Sequence, residues 1–261
     1  MTDQPVPFRA RGFAPVTRPL AGAATLLALL LLWELGARAH LFATTFLSTP
    51  TGIAHAIAGL IASGELWRHL AASLARLAWG WTSGTLAGLA AGLAIALFTT
   101  ARSPGMAIVS ALFPIPKIAL VPLFIIWFGI GEGSKLATLG FGVFFPTTIA
   151  TVAAIDAVPR SLIRMAQSFG LPWWAITRKI ILPGALPGIL AGCRITAATA
   201  IILLVAAEMI GAERGIGAFV LQAGNLYDVD ALMAGITILS ALGLIVAGVI
   251  GALERFLLRW R

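Results

Sequence analysis

Charge is scarce in this chain. Asp, Glu, Lys and Arg make up 11% of its 261 residues, where soluble domains carry about 25%. With 59% hydrophobic residues and a mean hydropathy of +0.98, no soluble fold of this length could bury so much apolar surface, so lipid must be the solvent. Cysteine occurs once, at Cys193, which excludes an internal disulfide; in an apolar helix it reads as a packing residue. Histidine occurs three times, at His40, His55 and His69, without ligand spacing, so no metal site is expected. No Ser-His-Asp arrangement and no cluster of carboxylates within the apolar runs suggests catalysis. The phosphate cradle Gly-x-x-x-x-Gly-Lys-Ser/Thr is missing as well.

What is present is a set of long apolar runs. A spanning helix needs roughly 20 mostly apolar residues. Six segments qualify, near 20–37, 73–98, 106–129, 134–155, 189–211 and 232–254, and predict an all-α polytopic membrane protein. The first run is too long for a signal peptide and has no clear cleavage site, so it reads as an anchor. The net charge of +8 and pI near 11.2 do not indicate nucleic acid, because the basic residues flank apolar runs. With an even number of spans, both termini share one side. That side holds Arg9, Arg11, Arg18, Arg102, Arg160, Arg164, Arg178, Lys179, Arg255, Arg259 and Arg261. The other side holds only Arg38, Arg68, Lys135 and Arg214. The bias places the termini and residues 156–188 in the cytoplasm. Residues 1–19, with four prolines and three arginines, read as a cytoplasmic arm, mobile or interfacial. Residues 20–261 read as a single transmembrane domain.

The stretch 41–72 is too polar to span. Thr49 and Pro50 read as N-cap and first helical residue, and Ile53, Ile57, Leu60 and Ile61 recur at helical spacing. This predicts an amphipathic helix on the outer, periplasmic surface, a lid packed on the core. Gly80, Gly84, Gly88 and Gly92 form a flat stripe along the second span, and Gly184, Gly188 and Gly192 repeat it at the start of the fifth. Such stripes let helices pack closely, either within one subunit or between two copies. Glu34 and Arg38 have the spacing of an i,i+4 pair.

Residues 156–188 interrupt the apolar pattern with a polar, basic segment. Pro159 can open a helix, Gly170 can close it in the left-handed conformation, and Pro172 can open a second helix that ends before Pro183. Leu171, Trp173 and Trp174 then protrude at a tight corner. Exposed aromatics beside basic residues suit a knob entering a partner's pocket; they equally suit anchoring at the interfacial belt.

The spacing from Gly170 to Ile180 and Leu182-Pro183 resembles the cytoplasmic coupling loop of ATP-binding-cassette importer permeases. That loop's pattern is Glu-Ala-Ala, three residues, Gly, nine residues, Ile, one residue, Leu-Pro. The chain keeps the Gly, Ile, Leu and Pro in register but reads Arg164-Met165-Ala166 for Glu-Ala-Ala, so only Ala166 survives. The likeness runs from about Leu20 to the C-terminus. It includes Gly64-Glu65-Leu66, Ser73-Leu74-Ala75-Arg76, Pro114-Ile115-Pro116-Lys117, the run Pro122 to Gly131, Leu182 to Pro187 and Ala207 to Glu213. These stretches are similar to the subfamily importing nitrate, taurine and aliphatic sulfonates.

The resemblance implies a type I importer fold and a multi-pass protein of the bacterial inner membrane. It implies two permease copies as a homodimer, two ATPase subunits holding ATP and Mg²⁺, and a periplasmic or lipid-anchored substrate-binding protein. This chain would carry no cofactor of its own. Arg164, Ala166, Gly170, Leu171, Pro172, Trp173, Trp174, Ile180, Leu182 and Pro183 would meet the ATPase, with Arg164 putting one polar contact in doubt. In physical terms the corner converts rigid-body motion of the ATPase into rocking of helix bundles.

Intramembrane charges default to function because each is costly in lipid. Lys117 lies between Pro116 and Pro122, where the helix should break; its cation suits an anionic solute, or it pairs with freed carbonyls or snorkels. Pro122, Trp127 and Glu208 are grouped with it as residues of the translocation path. Glu208 could instead bond a loop backbone or pair with Arg214. Arg76 is expected at the outer interface, and Arg194 is placed to brace the coupling loop. The competing reading is a self-sufficient secondary transporter, which would favour internal repeats and leave 156–188 without a purpose.

Overall fold

A computed structural model describes residues 19–39, 41 and 46–259. The arm read over 1–19 therefore lies outside the described residues apart from Pro19, as do Arg9, Arg11, Arg18, His40 and Arg261. The described residues are mostly helical, with no strand among them, and five helices are long and apolar enough to cross a membrane, or six if one bent pair counts as a span. The chain divides into two compact units, Met1–His55 and Ala56–Arg261.

In the first unit, α1 (Pro19–Arg38) is an apolar rod with exposed leucines. Its Glu34 accepts from Arg38 Nε at 2.7 Å, the i,i+4 pair expected. The same carboxylate accepts from the backbone N–H (3.1 Å) and hydroxyl (2.9 Å) of Thr51. α2 (Pro50–Ala62) opens where the caps predict, with Gly52 N–H donating to Thr49 Oγ1 at 2.9 Å.

The second unit is built around α6 (Glu132–Asp156), which packs against both α3 (Glu65–Leu97) and α9 (Leu182–Met209). α3 starts earlier than its apolar run suggests, so 65–72 belong to a 33-residue helix rather than to a surface segment. Leu77 of α3, Leu139 and Val143 of α6, and Leu203, Leu204 and Ala207 of α9 form the central core. The first glycine stripe faces α6: a Cβ at Gly84 would strike the backbone of Gly140, and one at Gly88 or Gly92 would strike Thr147 or Thr151. Gly188 and Gly192 meet Ala154 and Ala150 of α6 in the same way. Both stripes thus serve packing within one subunit. Thr138, Thr148 and Thr151 of α6 return their hydroxyls to its own backbone, as Thr138 does to the Ser134 carbonyl at 2.8 Å.

The run 106–129 is not one straight span. It forms α4 (Thr99–Leu112), a 3₁₀ turn (Lys117–Leu120) and α5 (Val121–Phe128), bent by 85°. Pro114 and Pro116 supply no N–H for a continuing ladder, so the helix ends and restarts. After α6 come α7 (Arg160–Ser168) and α8 (Trp173–Ile176), a π turn (Thr177–Ile181), and α9. α10 (Ile216–Asn225), which the apolar pattern does not single out, and α11 (Val229–Leu257) complete the unit. Asp228 caps α11 by accepting from Ala231 N–H at 3.0 Å.

Candidate functional site

Residues 156–188 fold as a helical corner. Pro159 precedes α7, and Gly170 closes it at φ 71°. Gly170 N–H donates to the Gln167 carbonyl at 2.9 Å and Leu171 N–H to the Ala166 carbonyl at 3.2 Å. That bond pair is a Schellman closure, which needs the left-handed conformation a glycine adopts without a Cβ penalty. Ala166 is buried beneath it, while Arg164 is exposed.

Pro172 then starts α8, but that helix does not stop before Pro183. It continues through the π turn into α9, because Leu182 N–H reaches back five residues to the Thr177 carbonyl. Pro183 has no N–H and would crowd the carbonyl four residues before it; the wider turn absorbs the mismatch. Pro183 itself sits in the first turn of α9, where its missing donor is harmless. Ile180 is half-buried with Ile163 and Ile181 on Ala154, Ile155, Val158 and Ala185, which roots the corner on the end of α6.

The corner's other face is open. Trp173 and Trp174 are 68% and 57% exposed, and Phe169 77%. Leu162 and Met165 continue this face along α7 at helical spacing, a stripe that the Gly-to-Leu-Pro pattern does not reveal. Leu171 is half-buried instead of protruding, since the Schellman closure ties its backbone to Ala166. Exposed apolar side chains gathered at a helical corner suit an interaction surface or the lipid interface.

Lys117 stands at the break between α4 and α5. Its ammonium donates to the carbonyls of Phe113 and Ile115 at 2.6 Å and of Leu112 at 3.1 Å. The Phe145 ring lies 5.1 Å away. All three donors are thereby engaged by carbonyls at the interrupted helix end, of which that of Leu112 also accepts from Ile115 N–H. Pro122 sits in the first turn of α5, and Trp127 is exposed further along it.

Glu208 is fully buried at the end of α9 and organises a cluster that local pattern does not show. Arg76 of α3 donates Nη1 to Glu208 at 2.8 Å and to the Arg214 carbonyl at 2.5 Å. Its Nε and Nη2 grip both oxygens of Glu132 at 2.7 Å. Ser73 Oγ donates to Glu208 at 2.8 Å and accepts from Ile216 N–H at 2.9 Å. Gly217 N–H donates to Glu208 at 2.9 Å, and Nδ1 of His69 sits against the backbone of Gly215.

Arg76 is buried within the protein at that end of the bundle, and Glu208 pairs with it and not with Arg214. Glu208 does accept from a backbone N–H, but from Gly217 in the first turn of α10 and not from a loop. A Cβ at Gly215 would run into the Glu208 carboxylate, so glycine is required there. Arg194 does not brace the corner: it pairs with Glu254 on α11. Among the described residues, no group of three or more His, Cys, Asp or Glu could hold a metal.

The cluster and the corner occupy opposite ends of the bundle, because α6 and α9 each run from one to the other. Such a bundle, with a bent helix pair and a helical corner at one end, is that of a polytopic membrane protein. Residues 84–259 match the family model described as the binding-protein-dependent transport system inner membrane component, and the chain belongs to that family.

The chain is 35% identical over 241 residues to the taurine transport system permease protein TauC of Escherichia coli (strain K12), covering 90% of this chain and 88% of that one. It is 34% identical to the putative aliphatic sulfonates transport permease protein SsuC of Bacillus subtilis (strain 168), covering 88% and 83%. It is 32% identical to the riboflavin transport system permease protein RibX of Chloroflexus aurantiacus, covering 90% and 88%. An inward-facing structure of the MetNI methionine ABC transporter superposes with TM-score 0.63 at 23% identity, covering 70% of this chain and 91% of that one. The fold is thus that of an ABC importer permease, a multi-pass membrane protein. Such a permease works with an ATPase and a substrate-binding protein, and ATP hydrolysis lies in the separate subunit. The secondary-transporter reading gives way to this one.

Proposed function

We propose that this chain is the permease of an importer for small sulfonate-type anions, coupled to its ATPase through the corner at 156–188. The corner carries the reading: its backbone is fixed by the Schellman closure and the proline-flanked turn, while Phe169, Trp173 and Trp174 stand exposed. Rigid exposed aromatics are effective anchors because little conformational entropy is lost when a pocket receives them. Gly170, Pro172, Ile180, Leu182 and Pro183 shape the corner, and Arg164 adds a positive charge beside it. ATP and Mg²⁺ belong to the ATPase. Two copies of the chain enclose the path, and the basic bias puts the corner in the cytoplasm. Lys117, Pro122, Trp127 and Glu208 stand along or at the end of that path. The substrate class rests on the taurine and sulfonate relatives.

Replacing Trp173 and Trp174 together with Ala tests the coupling. The expected result is normal membrane insertion, with ATPase association weakened about a hundredfold or more and transport lost. Wild-type ATPase binding and transport in the double mutant would refute the role of the corner.

A further inference from the structure

At the end of the bundle away from the corner, a cavity of about 660 Å³ opens beside the Arg76–Glu208 cluster. That volume lies within the range of about 300–1,000 Å³ usual for small-molecule sites. Its wall holds the first turn of α6, at Gly131 and Glu132, together with Lys135, Glu213 and Arg214.

Lys135 is the informative residue. It is only 4% exposed, yet among the described residues its single hydrogen bond runs to the Gly131 carbonyl of its own helix, at 2.9 Å. An ammonium has three donors, so two are left, and no carboxylate lies within ion-pair distance. Glu132, Glu208 and Glu213 attract it only through space, without contact, and a buried cation held at that distance gains from a charge brought nearer. The 25-residue α6 begins at the same wall with no side chain capping its first N–H groups. That terminus carries a partial positive charge that favours an anion.

The other charges are arranged consistently. Arg76 is held by Glu132 and Glu208 and is not free to bind. Its bond to the Arg214 carbonyl fixes the backbone from which the exposed Arg214 side chain rises at the cavity's edge. Glu213 is the opposing group on the wall. The charges of Arg76, Lys135, Arg214, Glu132, Glu208 and Glu213 cancel, so attraction at the cavity is local, from an ammonium without a contact ion pair and a helix terminus, and not from net charge.

We infer that this cavity is an oxyanion-binding vestibule, in which Lys135, the N-terminus of α6 and Arg214 receive the sulfonate group of the solute before it enters the path. The inference rests on the reading of the chain as an importer for small anions, and its test separates the two. Radiolabelled ethanesulfonate is the probe, added at low salt to the permease–ATPase complex in lipid nanodiscs without binding protein. Wild type is expected to bind saturably, and ethylammonium is expected not to compete. Lys135→Gln should weaken binding about tenfold or more, the loss of a hydrogen bond to a charged group. Arg214→Gln should weaken it less, and Glu213→Gln should tighten it.

No saturable binding, equal binding by all four proteins, or competition by ethylammonium would overturn the vestibule. If Lys135→Gln cannot be purified folded, the opposite shifts expected of the two exposed-site variants decide. Uptake by wild-type proteoliposomes that include the binding protein is measured alongside. Absence of ethanesulfonate uptake there would remove the anion-importer reading itself. Uptake with unchanged variants would remove the vestibule alone.

Discussion

Arg76 and Glu208 hold each other in place, and each would be untenable alone. Truncating one partner of a buried pair leaves an uncompensated charge and costs about 3–5 kcal/mol. Arg76→Ala is therefore expected to lower the thermal stability of the detergent-purified chain sharply, since it frees Glu208, Glu132 and the Arg214 carbonyl together. Replacing Arg76 and Glu208 together by methionine should cost less than the two single changes combined, because the pair acts as a unit. Unfolding curves of Arg76→Ala, of the two single methionine variants and of the double variant check both statements; additive losses would mean that the residues do not depend on each other. Little of this was legible beforehand. Arg76 and Glu208 are 132 residues apart in sequence and Arg76 and Glu132 are 56 apart, so no local pattern joins them. What could be read was that a carboxylate at the end of an apolar run needs a partner. The Glu34–Arg38 pair, one helical turn apart, was legible for the opposite reason.

Helix boundaries were clear where proline, glycine or a capping hydroxyl sets them. Thr49 and Pro50 start α2, Gly170 ends α7, and Pro172 begins α8, because each acts through its own backbone. Pro183 misled because a neighbouring π turn compensates for it, and compensation is a property of several residues together. The same limit applies to the glycine stripes: spacing shows that something packs there but not what. With α6 identified as the partner, Gly84→Leu should fail as a subunit, since the Gly140 backbone cannot move aside as a side chain might. Loss of folded monomer on size-exclusion chromatography is the expected result. A stable chain that merely fails to self-associate would restore the dimer-contact reading.

The molecule as a whole should present its two ends to different compartments. The single cysteine, Cys193, is buried, so a Cys193→Ser background allows clean labelling. In that background, Glu213→Cys should react with a membrane-impermeant maleimide in intact cells. Gln167→Cys should react only in inverted vesicles. Labelling of both from the same side would contradict the topology drawn from the basic residues. The long apolar runs made the membrane class legible from composition alone, whereas the 85° bend between α4 and α5 required the three-dimensional chain, since its two arms share one apolar run.

The uninterrupted passage from α8 through the π turn into α9 makes Trp173–Met209 one rod of 37 residues. At about 1.5 Å per residue it measures about 55 Å. The exposed tryptophans form its handle, and Glu208, one residue from the far tip, is keyed into the ion cluster beside the cavity. On the coupling proposed above, a displacement of the handle travels to the cavity along one continuous helix, whose π turn and Pro187 are the places where it can bend. On that coupling the same rod works in reverse, so that whatever tightens or loosens the cluster around Glu208 is expected to change the angle at which the tryptophans meet the ATPase.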